Sequence, residues 1–480
     1  MTEFPFQLLI DSAFPKNKRQ SLTCTKLLRT IAGRRQVYEA VWNGRAVIVK
    51  LFSHKINAGR HLKKEWRGLR QLQKRQLSCP VLLFYGKTEN GGWAVVTGKI
   101  ADCSTALEVF NEKRDPEEKL ELLISVCREL AEQHRKGVLQ KDLHLGNFLV
   151  SGDKGSGPIL QNAAKWEHSQ TPRKAFGVPN LFAIDPGQMR FRSQELTRKK
   201  SIWQLASVAA FLPEGDTKSI GRLCKEYASA RGWHFDKSDE AMLQKQLTLH
   251  KKTAVKKGLK KCLRTSKRCL KVKTDKYLAV FDRGFCQGHN PVDFIKQVDT
   301  LMNEGQTLKN SRTCYVCRLR WNGKDVVVKR YNHKGFVHSL RHTIKRSRAR
   351  RGWLHGHRLQ MLNIPTPKPL AYIEQYRGPI VWTSYLATEY IEGKNLYNFL
   401  ADDSVTEQQR SRAVKQIEEL FDKLGRHSIA HGDLKHSNIL ITANGPTLTD
   451  LDAMKVYKWN FTYRIRQRKD LLRFSRLAVG

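Results

Sequence analysis

Alternating apolar and polar positions predict two similar β-hairpins far apart in the chain. The first is VYEAVWNGRAVIVKLF (37–52) and the second is CYVCRLRWNGKDVVVKRY (314–331). In each, two runs with a period of two residues flank an Asn-Gly pair, which favours a tight hairpin turn. The second strand of each predicted hairpin carries a lysine near its end, Lys50 or Lys329. Both segments therefore present a lysine at the corresponding point of a strand.

The segments that follow the two hairpins also correspond. Each hairpin precedes a basic, tryptophan-containing stretch with helical periodicity, then a turn with proline, then further strands. These stretches are EWRGLRQL (65–72) with SCPVLL (78–83), and GWLHGHRL (352–359) with IPTPKPL (364–370). The predicted order of elements is thus the same in both halves of the chain.

Two short strings recur further along, each with an aspartate and an asparagine five positions apart. They are KDLHLGNFLV (141–150), with Asp142 and Asn147, and HGDLKHSNIL (431–440), with Asp433 and Asn438. Each leads through a short apolar strand to another aspartate, Asp185 in FAIDPG or Asp450 in GPTLTDLDA. Since order, spacing and chemistry all repeat, the sequence predicts an internal duplication.

A chain of 480 residues is long enough for two domains of ordinary size. We predict one domain over residues 1–250 and a second over residues 251–480. The join is LHKKTAVKKGLKKCLRTSKRCLKVK (249–273), a lysine-rich stretch that is predicted to be helical. It fits a solvated connector helix and also a contact for an anionic surface, and the sequence does not decide between them.

The charge balance is strongly basic. The chain has 87 Lys and Arg against 44 Asp and Glu, a formal net charge of +43. Such a field attracts polyanions, so nucleic acid, an anionic membrane face and a phosphorylated substrate are all possible partners. Hydrophobic residues make up 40% of the chain, which is typical of a globular protein.

The cysteine pattern and the hydropathy bear on the compartment. Ten cysteines are scattered through the chain, which favours reduced thiols over a disulfide framework. The pair Cys314 and Cys317 has no second CxxC or Cys/His pair in sequence, so a strand is favoured there over a metal site. We expect no signal peptide, because MTEFPFQLLI has no basic leader and its short apolar run is interrupted by Pro5. We expect no spanning helix, because no apolar run reaches about eighteen residues. The expected location is the cytoplasm.

The repeated polar residues suit phosphoryl transfer. That reaction needs a cation on the nucleotide phosphates, oxygen ligands for magnesium, and a carboxylate that accepts the proton of the attacking hydroxyl. A strand lysine, then Asp-x4-Asn, then a further Asp is the order found in kinase-like folds. Any one of these residues alone is most often a cap or a surface charge. The full set, present twice, favours a kinase.

The chain resembles two fused copies of the bacterial lipopolysaccharide core kinases, the heptose and Kdo kinase family. The second half carries the resemblance in HGDLKHSNILI, LTDLDAMKVY, IPTPKPLAYIE and TEYIEGKNLYNFL, and the first half in KDLHLGNFLV, FAIDPGQMRF and VIVKLF. HGDLxxxN alone is also similar to aminoglycoside and choline kinases. The family resemblance implies an α+β fold of two tandem protein-kinase-like domains, each with a strand-rich N-lobe and a helical C-lobe.

The resemblance also implies a role for each residue that matches the motifs of the family. Asp433 and Asp142 would be the catalytic bases. The magnesium ligands would be Asn438 and Asp450 in the second half and Asn147 and Asp185 in the first. Lys329 and Lys50 would bind the ATP phosphates, with Glu65 holding Lys50 in place. Asp452 would lie on the opposite side of a continued strand and is a weaker ligand candidate.

The implied reaction is ATP- and magnesium-dependent phosphorylation of a sugar hydroxyl, on heptose or Kdo, in the lipopolysaccharide inner core. The partner would be this anionic glycolipid, met at the cytosolic face of the inner membrane through peripheral contact. Nucleic acid is not expected, because no reading motif accompanies the positive charge. Two alternatives remain open: a non-catalytic or half-degenerate scaffold, and a kinase for another acceptor such as a protein or small molecule. The oligomeric state is not predicted.

Each half departs from the kinase pattern in its own way. Aligning Trp66 with Trp353 places Gly352 where Glu65 stands, so Lys329 lacks a helix glutamate. The first half has Gln140 in place of His431. It also has a Gly/Ser/Lys-rich insertion (151–177), which fits a plain loop or a substrate-contacting lid. Neither half has a full glycine-rich loop, since residues 31–38 offer only Gly33. One of the two domains could therefore be inactive.

Basic segments lie after each lysine strand and near residue 470. They are RHLKKEWRGLRQLQKRQ (60–76), RHTIKRSRARRGW (341–353) and YRIRQRKDLLRFSR (463–476). The last is predicted to be an amphipathic helix. Such helices suit an anionic lipid surface, and solvated faces have the same composition.

Overall fold

The structure, a computed structural model, describes residues 3–14, 16–31, 35–52, 57–151, 180–332 and 346–476. The chain divides into two compact units, Met1–Lys251 (unit 1) and Lys252–Gly480 (unit 2). Both units mix strands and helices. Within the described ranges, no helix is both long and apolar enough to cross a bilayer.

Unit 1 begins with strands and ends with helices. Its strands are β1 (Phe6–Phe14), β2 (Lys16–Ile31), β3 (Arg35–Trp42), β4 (Arg45–Phe52), β5 (Leu82–Thr88), β6 (Trp93–Gly98), β7 (Cys103–Thr105), β8 (Val138–Gln140), β9 (Phe148–Ser151), β10 (Asn180–Ala183) and β11 (Met189–Phe191). Its helices are α1 (Ala58–Lys74), α2 (Ala106–Glu112), α3 (Pro116–Arg135), α4 (Arg198–Ala209), α5 (Thr217–Arg231) and α6 (Lys237–Lys261), the last of which contains the point of division.

Unit 2 has a similar composition. Its strands are β12 (Cys269–Lys273), β13 (Tyr277–Asp282), β14 (Gln306–Ser311), β15 (Cys314–Trp321), β16 (Lys324–Tyr331), β17 (Pro369–Arg377), β18 (Ile380–Glu389), β19 (Lys394–Asn395), β20 (Ile429–Ala430), β21 (Ile439–Thr442), β22 (Gly445–Leu448) and β23 (Lys455–Val456). Its helices are α7 (Pro291–Glu304), α8 (Arg348–Met361), α9 (Leu396–Leu400), α10 (Glu407–Arg426) and α11 (Asn460–Arg476).

Both predicted Asn-Gly hairpins are present. Strands β3 and β4 pair in antiparallel fashion, as do β15 and β16. The turn residues have positive φ in both cases, 49° and 73° at Asn43 and Gly44 and 50° and 71° at Asn322 and Gly323. Positive φ at both positions gives a turn whose twist matches that of the flanking strands, and Asn-Gly tolerates it best.

The two main sheets share a four-stranded antiparallel centre. In unit 1 the order is β1-β2-β3-β4-β6-β5, closed into a barrel by pairing of β1 with β5. In unit 2 the order is β12-β13-β17-β18-β16-β15-β14. The segment β3-β4-β6-β5 thus corresponds to β15-β16-β18-β17. Within it, Lys50 is paired with Val95 on the neighbouring strand and Lys329 with Leu386.

The parts of the two units that follow these sheets also share an order of elements. Each has a long helix, α3 or α10, followed by a short strand, a single 3-10 turn and a small antiparallel sheet. The sheets are β10-β9-β7 in unit 1 and β19-β21-β22 in unit 2, each accompanied by a two-stranded pair, β11-β8 or β20-β23. The 3-10 turns are Leu145–Asn147 and His436–Asn438, so each one ends on the predicted asparagine.

The prediction of a helical join over residues 249–273 is wrong for residues 262–273, nearly half of the segment. Helix α6 ends at Lys261, and β12 begins at Cys269 and pairs with β13. The intervening turn is closed by two hydrogen bonds, from Ser266 N to the Cys269 carbonyl (2.8 Å) and from Cys269 N to Ser266 Oγ (3.1 Å). A serine that bonds to nearby backbone in this way competes with helix formation.

Aromatic packing dominates the core beside the sheet of unit 2. Phe294 on α7 is 1% exposed. Its ring meets those of Phe281, Phe285 and Trp321 edge-on, with centroids 6.3, 5.2 and 5.1 Å away. Edge-to-face contacts of this kind add to the stabilisation from burial of apolar area. Helix α7 packs against the sheet through Phe294 together with Ile295, Val298 and Met302, which are also buried in this core.

Replacing Phe294 with alanine should lower the free energy of unfolding of unit 2 by about 3–5 kcal/mol, because it removes a fully buried ring and leaves a cavity. Urea unfolding of the full chain, followed by circular dichroism, measures the change. Phe461→Ala is the matched control: this ring is 75% exposed, and its loss should change stability by less than about 0.5 kcal/mol. Equal effects of the two substitutions would contradict the packing described here.

Candidate functional site

In unit 1, the ammonium of Lys50 lies between two carboxylates. Its Nζ is 2.5 Å from Glu65 Oε1 and 2.7 Å from Asp185 Oδ1. Lys50 belongs to β4, Glu65 to α1, and Asp185 follows β10, so the cluster joins three separate elements. Glu65 Oε2 also accepts a hydrogen bond from the backbone N–H of Gly187 at 3.3 Å. Three of the residues singled out in the first half therefore meet in space.

Asp185 has an unusual backbone conformation. Its φ and ψ are 57° and 47°, in the left-handed region that residues other than glycine seldom adopt. Such conformations recur at functional sites, where the surrounding structure holds them. Burial alone would raise the pKa of Asp185, but the positive charges of Lys50 and Arg35 outweigh it and hold the pKa well below its usual range. The carboxylate is therefore ionised at neutral pH, as a magnesium ligand must be.

Asp142 and Asn147 form the second part of the unit 1 site. Asn147 Nδ2 donates to the carbonyl oxygen of Asp142 at 2.7 Å, which closes the loop between them. The Asn147 carbonyl in turn accepts from the backbone N–H of Ile184 at 2.9 Å, next to Asp185. Asn147 is buried and Asp142 is exposed. Among the described residues, no cation forms an ion pair with the Asp142 carboxylate.

Unit 2 repeats the lysine–aspartate contact. Lys329 Nζ on β16 is 2.5 Å from Asp450 Oδ1, although the two residues are 121 positions apart. Asp450 has φ and ψ of 58° and 53°, close to the values of Asp185. Burial raises the pKa of its carboxyl, but the positive charges of Lys329 and, to a lesser degree, Arg348 lower the pKa by more than burial raises it. The pKa of Asp450 therefore lies below its usual value. The predicted residues Lys329 and Asp450 are brought together.

Asp433 and Asn438 adopt the same loop in unit 2. Asn438 Nδ2 donates to the carbonyl oxygen of Asp433 at 2.8 Å. The Asn438 carbonyl accepts from the backbone N–H of Thr449 at 2.9 Å, which places this loop beside Asp450. His431 is buried, and its Nε2 donates a hydrogen bond to the Thr449 carbonyl oxygen at 2.9 Å. The histidine therefore also connects the loop to the segment just before Asp450. All four singled-out residues of the second half thus belong to one connected region.

The corresponding position in unit 1 is bonded differently. Gln140 Nε2 donates to Gln133 Oε1 at 2.8 Å, and the Gln140 carbonyl accepts from Gln204. Those partners are on α3 and α4, so Gln140 is tied to the helices of unit 1. The loop that contains Asp142 is therefore held to the helices of unit 1 through Gln140, whereas the loop that contains Asp433 is held to the segment before Asp450 through His431.

Unit 1 has an acidic residue on the helix after the lysine strand and a glycine two positions after the left-handed aspartate, and unit 2 has the glycine on the helix and the acidic residue after the aspartate. In unit 1 the acid is Glu65 on α1, and a Cβ on Gly187 would lie only 2.9 Å from its Oε2. In unit 2 the helix position is Gly352, where a Cβ would lie 2.6 Å from Leu386 Cδ2. The position of Gly187 is taken by Asp452. The carboxylate is therefore supplied by the helix in unit 1 and by the loop in unit 2.

The Asp452 carboxylate pairs with an arginine that the sequence did not single out. Arg348, the first residue of α8, donates from Nε to Asp452 Oδ2 at 2.7 Å. The expectation that Asp452 lies on the opposite side of a continued strand is wrong for two reasons. Side chains two positions apart share a face of a strand, and no strand continues here, because β22 ends at Leu448 and Leu451–Ala453 forms a 3-10 turn. Arg348 stands in a run of basic residues, where a single ion-pairing arginine gives no separate signal.

Two further basic residues contact the Asp433 carboxylate. Arg473 Nη1 on α11 lies 2.8 Å from Asp433 Oδ1, and Lys435 Nζ lies 3.3 Å from Oδ2. The signal for Lys435 was its place two residues after the aspartate, where unit 1 has His144. No local signal marks Arg473, because it is 40 positions away. These contacts surround the proposed base with positive charge.

Helix α11 also fixes the backbone just before Asp433. Gly432 N donates to Asp470 Oδ2 at 2.8 Å, and the Gly432 carbonyl accepts from Arg466 Nη2 at 2.7 Å. Gly432 has φ of 85°, and a Cβ there would lie 2.4 Å from the Ala453 carbonyl oxygen. A glycine is required at this point because both the backbone angle and the close approach exclude a side chain.

The donor atoms in unit 2 fit a hard divalent cation. Magnesium prefers carboxylate and carbonyl oxygen. The amide nitrogen of Asn438 is used in its bond to Asp433, which leaves Oδ1 as the free ligand atom of that side chain. Asp450 is ionised and uses Oδ1 with Lys329, so Oδ2 is the atom it can offer. The equivalent donors in unit 1 are Asn147 and Asp185.

Some expectations fall on residues outside the described ranges. The insertion, apart from Ser151, lies there, as do Gly33 and the first five residues of the basic segment 341–353. The other basic segments lie within the described ranges: one is helical in α1, and the third forms most of α11, whose Leu472 is 47% exposed.

Comparisons with known proteins agree with the kinase-like pattern of unit 2. Residues 292–477 match the model of the lipopolysaccharide kinase (Kdo/WaaP) family. Among curated proteins, none matches the chain. Among solved structures, WaaP in complex with acyl carrier protein matches at 19% identity and a TM-score of 0.34, over 47% of this chain and 88% of that one.

A kinase domain of PknI from Mycobacterium tuberculosis, a double mutant, matches at 13% identity and a TM-score of 0.27, over 47% of this chain and 95% of that one. The family match covers α7 to α11 and includes Lys329, Asp433, Asn438 and Asp450. Residues 292–477 are therefore a domain of the Kdo/WaaP lipopolysaccharide kinase family.

Proposed function

We propose that unit 2 is an ATP- and magnesium-dependent kinase that phosphorylates a sugar hydroxyl of the lipopolysaccharide inner core, on heptose or Kdo. The observation that carries this proposal is the 2.5 Å contact between Lys329 and Asp450, beside a loop that holds Asp433 and Asn438. Those four residue types, in that order, are what phosphoryl transfer requires. The family of residues 292–477 supports the choice of acceptor.

Each residue has a role in the proposed reaction. Magnesium-bound ATP supplies the phosphoryl group and a leaving group whose charge the metal neutralises. Lys329 binds phosphate oxygens, and Asn438 and Asp450 hold the metal. Asp433 accepts the proton of the sugar hydroxyl as the oxygen attacks phosphorus.

The cations around Asp433 have a place in the same scheme. Lys435, within 3.3 Å of the base, is close enough to contact the phosphoryl group that arrives at the acceptor oxygen. Arg473 holds the other carboxylate oxygen at 2.8 Å and fixes the orientation of the side chain. The positive charges of Lys435 and Arg473 would stabilise the negatively charged phosphoryl group as it passes from ATP to the acceptor.

The acceptor is proposed to lie at the cytosolic face of the inner membrane. The formal net charge of +43 attracts a phosphorylated glycolipid and an anionic lipid surface alike. Helix α11 adds a basic element with exposed apolar side chains, among them Trp459 just before it, Phe461, Ile465 and Leu472. A helix of this composition suits peripheral contact with lipid headgroups.

Unit 1 is proposed to be a second protein-kinase-like domain that arose by duplication. Its support is the shared central strand order, the shared loop of Asp142 and Asn147, and the left-handed Asp185 beside Lys50. Its lysine has a helix glutamate, as in protein kinases. Among the described residues, no lysine or arginine forms an ion pair with Asp142, whereas Lys435 and Arg473 both contact the Asp433 carboxylate in unit 2. We assign nucleotide binding to unit 1 and phosphoryl transfer to unit 2.

The acceptor is tested with lipopolysaccharide from cells that lack this protein. We expect the full chain with ATP and Mg²⁺ to add phosphate to the core oligosaccharide, with the position read by mass spectrometry. Casein and a cationic aminoglycoside are included as acceptors of other classes. An unchanged phosphate count in the core, with ATP turnover on another acceptor, would contradict the sugar assignment; no turnover on any acceptor would favour a scaffold.

Asp433→Asn should lower kcat by about 10²–10⁴-fold, because the amide cannot accept the hydroxyl proton. The matched control is Asp142→Asn, the same change in the corresponding loop of unit 1, for which we expect activity within about twofold of wild type, since phosphoryl transfer is assigned to unit 2 and not to the loop of unit 1. Phosphate incorporation into the core oligosaccharide measures both. Wild-type activity of Asp433→Asn, or equal losses in the two variants, would overturn the assignment of transfer to unit 2.

Glu65→Gln should weaken nucleotide binding by unit 1 about tenfold, because Lys50 loses a charged partner worth roughly 1.5 kcal/mol. Calorimetric titration of the full chain with a non-hydrolysable ATP analogue and Mg²⁺ measures it: two binding sites are expected, of which one weakens. Lys64→Gln alters the exposed neighbour of Glu65 on α1 and should leave both sites unchanged. A single site in wild type, insensitive to Glu65→Gln, would exclude nucleotide binding by unit 1.

A further inference from the structure

Three buried metal-ligating side chains converge in unit 2, apart from the residues assigned to catalysis. They are Cys262, which follows α6, Cys269, the first residue of β12, and His357 on α8. The two Sγ atoms and a ring nitrogen of the histidine all lie within 4.8 Å of one another. Cys269 and His357 are fully buried and Cys262 is 3% exposed.

The histidine gives an independent indication of a ligand. Neither Nδ1 nor Nε2 of His357 makes a hydrogen bond of ordinary geometry with any described residue, although the side chain of Gln360 approaches the ring. A polar group that is buried without a partner costs on the order of 1–3 kcal/mol, and native proteins contain few of them. A metal ion bonded to one ring nitrogen would supply a partner for that atom.

The surrounding structure holds the three side chains in place. The Trp353 ring packs edge-on against the His357 ring, with centroids 4.2 Å apart, and its Nε1 donates to the Cys262 carbonyl at 3.0 Å. The turn between the two cysteines is closed by the bonds of Ser266 to Cys269 described above. One tryptophan thus orients both the histidine and the segment that carries the first cysteine.

We propose that Cys262, Cys269 and His357 bind a structural zinc ion. Thiolate sulfur and imidazole nitrogen are the ligands that zinc favours in tetrahedral sites, and in such a site these atoms stand about 3.5–4 Å apart. The three ligand atoms lie within 4.8 Å of one another, a range that includes these distances. Two thiolates neutralise a divalent ion, which makes its burial feasible.

The fourth ligand is assigned to Asp282 or to water. Asp282 is buried and lies directly opposite Cys269 in the pairing of β12 with β13, so the two side chains share a face of the sheet. Its carboxylate now accepts from Lys368 at 3.0 Å and from Arg268 at 3.5 Å. These two cations would balance the negative charge that a third anionic ligand adds.

The ion would connect segments that are far apart in sequence. Cys262 and Cys269 stand at the start of unit 2, and His357 is near the end of the helix whose first residue, Arg348, pairs with Asp452. Zinc would therefore fix α8 against the turn that precedes the sheet. Its role is positional: no ligand touches Lys329, Asp433, Asn438 or Asp450 in the described contacts.

Zinc content of the full chain tests the proposal. Protein purified under reducing conditions, stripped with a chelator and titrated with zinc chloride should retain about one equivalent after gel filtration, measured by inductively coupled plasma mass spectrometry. Cys269→Ser and His357→Gln should each reduce bound zinc to background. Cys317→Ser, which alters another fully buried cysteine of unit 2, should keep the full equivalent.

A second measurement avoids dependence on the folding of variants. In the wild-type chain, zinc should protect Cys262 and Cys269 from alkylation by iodoacetamide, as read by peptide mass spectrometry, while the reactivity of the partly exposed Cys79 stays unchanged. Absence of stoichiometric zinc, zinc retention by both site variants, or equal alkylation of the two cysteines with and without zinc would each overturn the site. So would a disulfide between Cys262 and Cys269 in the reduced preparation.

Discussion

The contact on which the two candidate sites depend is an ion pair between a strand lysine and a left-handed aspartate. It connects β4 with the turn after β10 in unit 1, and β16 with the turn after β22 in unit 2. Each pair is largely removed from water, where opposite charges interact more strongly than at a surface. In the proposed reaction the lysine would bind the ATP phosphates and the aspartate would bind magnesium. The ion pair thus keeps both groups charged and in position when no nucleotide is bound.

The two units solve the same electrostatic problem with different residues. Unit 1 places Glu65 on its helix and keeps Gly187 on the loop, and unit 2 places Asp452 on the loop and Gly352 on the helix. In unit 1 the two positions are in contact, because a Cβ on Gly187 would lie 2.9 Å from Glu65 Oε2, whereas in unit 2 a Cβ on Gly352 would meet Leu386. The acid of unit 2 pairs with Arg348 in place of the strand lysine, so Lys329 has Asp450 as its acidic partner within the described residues. This difference, together with the cations around Asp433, is the structural basis for giving the units different roles.

The sequence predicted those features that depend on short-range patterns. The Asn-Gly hairpins follow from alternation and turn chemistry, and the two Asp-x4-Asn loops follow from a spacing that the 3-10 turn preserves. The meeting of Lys50 with Glu65 and Asp185, and of Lys329 with Asp450, could be expected only because their order resembled that of a known family. Features that depend on distant residues were missed. Arg348 was hidden in a basic run, Arg473 lies 40 positions from its partner, and Cys262, Cys269 and His357 show no metal-site spacing. The helical join failed because the turn bonds of Ser266 outweigh local helical propensity.

The most direct test of the account is a crystal structure of the full chain with Mg²⁺ and a non-hydrolysable ATP analogue. The account predicts a triphosphate in contact with Lys329, a metal ion bound by Asn438 Oδ1 and Asp450, and the Asp433 carboxylate facing the terminal phosphate. A nucleotide bound elsewhere in unit 2, or a triphosphate that touches none of these four side chains, would contradict it.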